Sequence, residues 1–167
     1  MAFGGRTRLI APVALLLAGG AWVVVPAHHG DPDPGGRKLS ALRTAERVVP
    51  VGATVLSRQA AKPRWDSCDG RSGTFGWDDA MVAVQFRSDI QPAALLAKAD
   101  QSLRAAGWQQ VEDLASPLGP GRQWSRRVDG PAEATAILAP GTSGGGTGKY
   151  WQLTATAPPS GRRSSGC

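Results

Sequence analysis

Four aspartates and two tryptophans crowd into residues 65–79, and they are the side chains of this sequence best suited to chemistry. Paired carboxylates supply the acid and the base or nucleophile of glycoside cleavage, and carboxylate clusters also bind Ca²⁺. Exposed indole rings stack on sugar rings or anchor protein partners. The segment is therefore the candidate binding site, with these members: Trp65, Asp66, Asp69, Trp77, Asp78 and Asp79.

The spacing of these aspartates does not match an EF-hand calcium loop. Cys68 and Gly70 fall at ligand positions when Asp66 is placed first. Acidic residues in a Gly-rich loop are usually solvated turn formers. A carboxylate pair that performs hydrolysis stays open as an alternative to a noncatalytic site.

Two other motifs with catalytic or phosphate-binding patterns lack the partner residues that their chemistry requires. The segment 141–145 matches the G-x-S-x-G pattern of hydrolases, but a serine nucleophile needs a histidine base and the only histidines are His28 and His29, far upstream. A phosphate-binding loop is excluded because Tyr150 stands where Gly148-Lys149 should be followed by Ser or Thr. A mature N-terminus at His28 could chelate copper, but the folded body adds no histidine, so we predict no metal and no cofactor.

The net charge of +6 does not indicate nucleic-acid binding. Residues 50–159 carry 11 basic and 10 acidic side chains, so the excess lies in the first 49 and the last eight residues. Nucleic-acid binding requires a basic face that replaces phosphate counterions. We therefore predict no nucleic-acid partner.

The N-terminus has the layout of an export signal. Arg6 and Arg8 precede an apolar run over residues 9–25, which a Pro/Gly-rich stretch follows. The run is longer than a usual signal core and sits at the lower limit of a membrane span, so both cleavage after Ala27 and retention as an anchor stay open. Positive charge before the run directs the body outward in either case.

An oxidising compartment makes a disulfide between Cys68 and Cys167 the expected state of the two cysteines. The bond closes a loop of about 100 residues, which chain entropy values at about 4.7 kcal/mol before native strain is deducted. It would hold the C-terminal tail against the candidate site.

The body shows one apolar helix among several alternating segments. We predict a short helix over 40–49, a brief strand over 51–57, an irregular loop over 58–79, and a helix that begins at Pro92 and ends at Gly107. Alternation of apolar and polar residues predicts further strands over 80–87, 108–112, 122–128, 132–139 and 151–157.

These elements predict an α+β fold. The expected architecture is a two-layer sandwich in which one main helix covers a mainly antiparallel sheet of four to five strands. The predicted organisation is a signal peptide or anchor (1–27), a spacer with a short helix (28–49), one extracytoplasmic domain (50–157) and a tail (158–167).

A scattered set of glycines, aromatic residues and cysteines runs through the chain after Pro50. Its members are Pro50, Gly52, Ala53, Trp65, Cys68, residues 73–77, Phe86, residues 103–108, Trp124, residues 151–157 and Gly166-Cys167. With this set, the chain resembles small exported or membrane-anchored proteins from GC-rich actinobacteria. The resemblance covers most of the chain after Pro50, and it implies lineage and location without an activity.

Two functions follow as hypotheses. The first is a noncatalytic extracytoplasmic envelope protein that binds a ligand or partner, with residues 9–25 contacting the membrane if they are retained. The alternative is a small envelope hydrolase that uses the carboxylates of residues 66–79.

Export can be tested with reporter fusions. A reporter that is active only outside the cytoplasm, fused after residue 60, gives signal because the two N-terminal arginines hold that end inside. The mass of the isolated protein decides between a start at His28 and an intact Met1. Activity of a cytoplasm-specific reporter at the same position contradicts export.

Overall fold

The computed structural model describes residues 30–67, 74–129, 132–142, 150–160 and 165–166. Within these ranges the helices are α1 (Arg37–Arg43) and α2 (Pro92–Ala105), with 3₁₀ turns at Pro34–Gly36 and Thr44–Val48. The strands are β1 (Thr54–Ala61), β2 (Trp65–Ser67), β3 (Thr74–Trp77), β4 (Ala80–Arg87), β5 (Gln109–Ser116), β6 (Gly119–Asp129), β7 (Ala132–Pro140), β8 (Tyr150–Ala157) and β9 (Ser165–Gly166).

The main sheet has six strands in the order β1-β4-β8-β7-β6-β5, and every neighbouring pair is antiparallel. The α+β prediction and the mainly antiparallel sheet are confirmed. The strand count was predicted too low, because β1 runs to Ala61 and joins the sheet edge although its residues show no alternation between buried and exposed. Helix α2 connects β4 to β5 by crossing β8, β7 and β6.

One face of this sheet forms the core. On β8, Trp151, Leu153, Ala155 and Ala157 are buried and alternate with half-buried or exposed residues, as the sequence predicts. Ala134 and Ala136 of β7 are fully buried, and such small side chains let a helix approach the sheet closely. Both helices contact this side, which makes two layers.

The cover consists of two helical segments rather than the single main helix that the sequence predicts. Helix α1 and the 3₁₀ turn after it bury Leu42 and Ala45 completely and Val48 almost completely. The segment contacts β4, β6, β7 and β8, so residues assigned to the spacer in the sequence analysis belong to the core.

The start of α1 depends on an aspartate outside the helix. Both carboxylate oxygens of Asp33 accept hydrogen bonds from helix amides, Oδ1 from Lys38 N–H at 2.7 Å and Oδ2 from Leu39 N–H at 3.1 Å. These bonds satisfy amides that have no partner within the helix. The helix therefore begins at Arg37, three residues before the predicted start.

Helix α2 matches its prediction at both ends. Pro92 occupies the first turn. At the other end Gly107 has a φ of 82°, and the amide of Trp108 bonds to the carbonyl of Leu103 at 2.9 Å while that of Gly107 bonds to Arg104 at 2.9 Å. This is a Schellman ending, which requires the left-handed conformation that glycine adopts without strain.

No helix within the described ranges is long and apolar enough to cross a membrane. The apolar run over residues 9–25 lies outside those ranges.

Asp100 of α2 holds the indole of Trp124, a fully buried residue of β6. Trp124 Nε1 donates to Asp100 Oδ1 at 3.0 Å, and Arg104 Nε donates to Asp100 Oδ2 at 2.7 Å. Burial raises the pKa of Asp100, but the hydrogen bonds from Trp124 and Arg104 outweigh it, so the pKa lies below its ordinary value of 3.8.

The Asp100→Ala variant leaves the buried indole N–H without a partner, and we expect the free energy of unfolding to fall by about 1–3 kcal/mol. Because the folded state lowers the pKa, this carboxylate contributes stability that is fully present above pH 3.8 and is lost as the pH falls from there through the lower pKa of the folded state. The Asp100→Asn variant therefore shows a weaker loss of stability between neutral pH and pH 3 in denaturant titrations. Glu112→Ala, an exposed carboxylate on β5, is the control. Identical pH profiles for wild type and Asp100→Asn would contradict the assignment.

Candidate functional site

Trp65 and Trp77 face each other across β2 and β3, which form a second, small sheet with β9. Their ring centroids lie 5.4 Å apart and the rings are edge to face. Phe75 lies 5.2 Å from Trp65 in the same geometry. Edge-to-face pairs contribute about 0.5–1.5 kcal/mol each beyond the area they bury. We call Trp65, Phe75 and Trp77 the aromatic cluster.

The prediction of an irregular loop over 58–79 was wrong, because β2 and β3 lie within it. Strand pairing brings together the two tryptophans that the sequence nominated. Phe75 was missed, although its position two residues before Trp77 would place it on the same face of a strand. All three rings are half-buried, unlike Trp108, Trp124 and Trp151 of the core, which are at most 1% exposed.

Gly76 lies between Phe75 and Trp77 on β3. Its φ is 124°, in a region that residues with a side chain rarely adopt, and it is buried opposite Asp66. A residue with a side chain would therefore be strained at this position between the two rings of β3.

The aspartates of the candidate site are spread over different surroundings. Asp66 alternates with Trp65 along β2 and so lies on the other face of the small sheet. Asp78 is exposed, and its amide bonds to the carbonyl of Arg64 at 2.9 Å, which closes the base of the β2–β3 pair. The negative charge of Asp79 raises the pKa of the buried Lys38. Asp69 lies outside the described residues, as do Cys68 and Cys167.

A cleft of about 510 Å³ adjoins the aromatic cluster. The N-terminal segment, residues 31–36, forms one wall, and Lys62, Pro63 and Trp77 form the other. Two carboxylates line the cleft, and both accept hydrogen bonds from backbone amides. Asp33 accepts from the amides of Lys38 and Leu39 in α1, and Asp31 Oδ1 accepts a hydrogen bond from the amide of Asp33 at 2.9 Å. The cleft therefore combines an indole and an exposed ammonium with carboxylates that serve the fold.

Lys38 is a buried lysine on α1 that the sequence analysis missed. The residue is 2% exposed, and its Nζ donates to the carbonyl of Pro158 at 2.7 Å. Burial lowers the pKa of Lys38, while the carboxylates of Asp129, Asp33 and Asp79 raise it in part. The hydrogen bond from Nζ thereby connects α1 to the segment after β8.

The segment after β8 is held at two further points. The amide of Ser160 donates to the carbonyl of Pro32 at 2.9 Å, and its Oγ donates to Asp129 Oδ2 at 3.3 Å. Farther along, β9 pairs with β3, where Phe75 lies opposite Ser165. The predicted tail (158–167) thus contributes a strand to the sheet that carries the aromatic cluster.

Within the part of the chain that the structure describes, there is no group of three or more His, Cys, Asp or Glu residues that could hold a metal ion. His28 and His29 are outside that part.

No protein-family model, curated protein or solved structure matches this chain.

Proposed function

We propose that this chain is a noncatalytic extracytoplasmic envelope protein that binds a ligand or partner through the aromatic cluster. The observation that carries the proposal is the gathering of three half-buried rings on a small sheet beside the cleft, apart from the core. Half-buried aromatic rings combine large contact area with low conformational entropy, so they dominate contact surfaces.

The proposal includes export. The arginines before the apolar run support a body outside the cytoplasm, with residues 9–25 either removed or retained as a single membrane anchor. The place of the N-terminal segment in the cleft wall is consistent with both outcomes, since residues 30–36 are part of the fold either way.

A hydrolase that uses residues 66–79 has weaker support. Hydrolysis by two carboxylates requires both groups on either side of one bond. Asp66 and the rings of the aromatic cluster lie on opposite faces of the small sheet, and Asp79 acts on Lys38. The described carboxylates are thus distributed among separate roles.

Binding through the aromatic cluster is testable by crosslinking in intact envelopes followed by recovery of the protein. We expect Trp77→Ala to reduce recovery of the crosslinked partner by about tenfold or more, because truncation of a central aromatic contact typically costs about 2 kcal/mol or more. Val111→Ala, an exposed apolar residue of β5, leaves recovery unchanged.

Trp77→Phe distinguishes lost binding from lost folding, since it keeps an aromatic ring in the cluster and restores part of the recovery. Equal recovery with wild type and Trp77→Ala contradicts the proposed surface. Turnover in a hydrolase screen that disappears in Asp78→Asn favours the enzyme instead.

We also propose the disulfide between Cys68 and Cys167. Strand β2 ends one residue before Cys68, β9 ends one residue before Cys167, and both strands flank β3 at Phe75. The two strands that lead into the cysteines are thus both hydrogen-bonded neighbours of β3.

Reduction of this bond should lower the free energy of unfolding by about 2–5 kcal/mol, the usual loss for a native bridge in a small secreted domain. Hydrogen exchange should rise in β2 and β3 before it rises in β4 and β8, whose contacts lie in the core. The Cys68→Ser/Cys167→Ser variant serves as the control that reduction does not change further. Two reactive thiols in the native protein isolated from an oxidising compartment rule out the bond.

A further inference from the structure

The main sheet has a second face that neither helix covers. On the inner strands its positions alternate with core residues, in three rows that pass through Gln85, Ala83 and Met81 of β4. The pairing register extends the rows to the edge strands β1 and β5, which bury no residue, so the face has three positions on each of the six strands. We call these eighteen positions the open face. Both α-helices contact the opposite side, which carries the core residues.

The open face is almost free of charge. Its only ionisable member is Glu112, which lies on the outermost strand β5. A protein surface usually carries about one charged residue in three or four positions, so eighteen positions should hold about five. Charged residues follow beyond the three rows at both ends of the strands. Arg87 lies beside Tyr150 at one end, and Arg127 lies opposite Glu133 at the other.

The composition of the open face is complementary to itself. Four small or apolar side chains on its inner strands, Met81, Ala83, Ile137 and Ala139, are half-buried, and the hydroxyl residues Thr135, Thr154, Thr156 and Ser125 share the same rows. Amides surround them, contributed by Gln59, Gln85, Gln109, Gln123 and Gln152. An amide both donates and accepts hydrogen bonds, so a glutamine-rich surface can pair with a copy of itself, which a surface with one sign of charge cannot do.

The area of the open face is large enough for an interface with a second copy of the chain. Six strands about 4.8 Å apart and three rows about 6.8 Å apart cover roughly 600 Å². Two such faces together bury about 1,200 Å², the lower end of the range for specific interfaces.

The sheet edges are less suited to self-association than this face. Each edge strand carries an irregularity, between Val55 and Ser57 in β1 and between Gln110 and Glu112 in β5. Bulges on edge strands interrupt the row of free amides and carbonyls that another strand would need.

We propose that two copies of this chain associate through their open faces, with the two sheets packed face to face. Aligned packing of two sheets at about −30° is the standard geometry for such layers. Because the pair is two-fold symmetric, residues near the axis meet their own copies. Thr154, in the middle row of the inner strand β8, is such a residue.

The mass of the purified full-length protein in the micromolar range tests this proposal, with detergent present if residues 9–25 are retained. We expect a dimer for the wild type and for Gln101→Arg, a control on the exposed side of α2. Thr154→Arg and Thr154→Asp each place like charges opposite one another and should raise the dissociation constant by more than about a hundredfold. An equimolar mixture of the two variants should restore the dimer, which a folding defect could not do.

If either Thr154 variant fails to fold, the same pair of changes at Ala83, the neighbour of Thr154 on β4, replaces it. A wild-type monomer overturns the proposal, as does dimerisation of the folded single variants or failure of their mixture to associate. A heavier species that contains a different molecule also overturns it and assigns the open face to that molecule.

Discussion

The buried ammonium of Lys38 sets the arrangement of the chain ends. A charge removed from water must be matched by hydrogen bonds and opposite charge, or the desolvation cost is not recovered. Here the match comes from the carbonyl of Pro158 and the carboxylates of Asp129, Asp33 and Asp79. These groups belong to four separate parts of the sequence, so the ammonium of one residue interacts with the start of the first helix, the segment after the last long strand, the end of β6 and the link to the small sheet.

The parts of the fold that could be predicted are those whose burial repeats with the period of the element. Strands β4 and β8 alternate fully between buried and half-buried or exposed residues, and α2 buries Leu95, Leu96, Ala99 and Leu103 on one side. Strand β1 lacks that signal because it lies at the edge, and only its pairing with β4 identifies its extent. Helix α1 was misplaced because its amides are capped by Asp33, a residue too far from the helix for the usual spacing rules to find.

The candidate site could be predicted by residue type but not by geometry. The tryptophans stood out because they lie in a segment without an apolar period, and strand pairing does bring Trp65 and Trp77 together. Four aspartates close in sequence suggested one acidic site. In the structure Asp66 lies on the face of β2 opposite Trp65, whereas the carboxylate of Asp79 interacts with the charge of Lys38. A buried lysine gives no sequence signal, since its partners lie 91 and 120 residues away along the chain in Asp129 and Pro158. The uncharged open face was equally hidden, because it becomes visible only when six strands are placed in register.

The cleft also determines how the molecule would carry mechanical load. Residues 31–36 and Trp77 line the same cleft. If residues 9–25 are held in a membrane and a partner binds the aromatic cluster, tension between these two points acts first on the N-terminal segment and the small sheet. Only two residues separate β3 from β4, so the same tension reaches the main sheet at the start of β4. The domain would then act as a short link between the membrane and its partner.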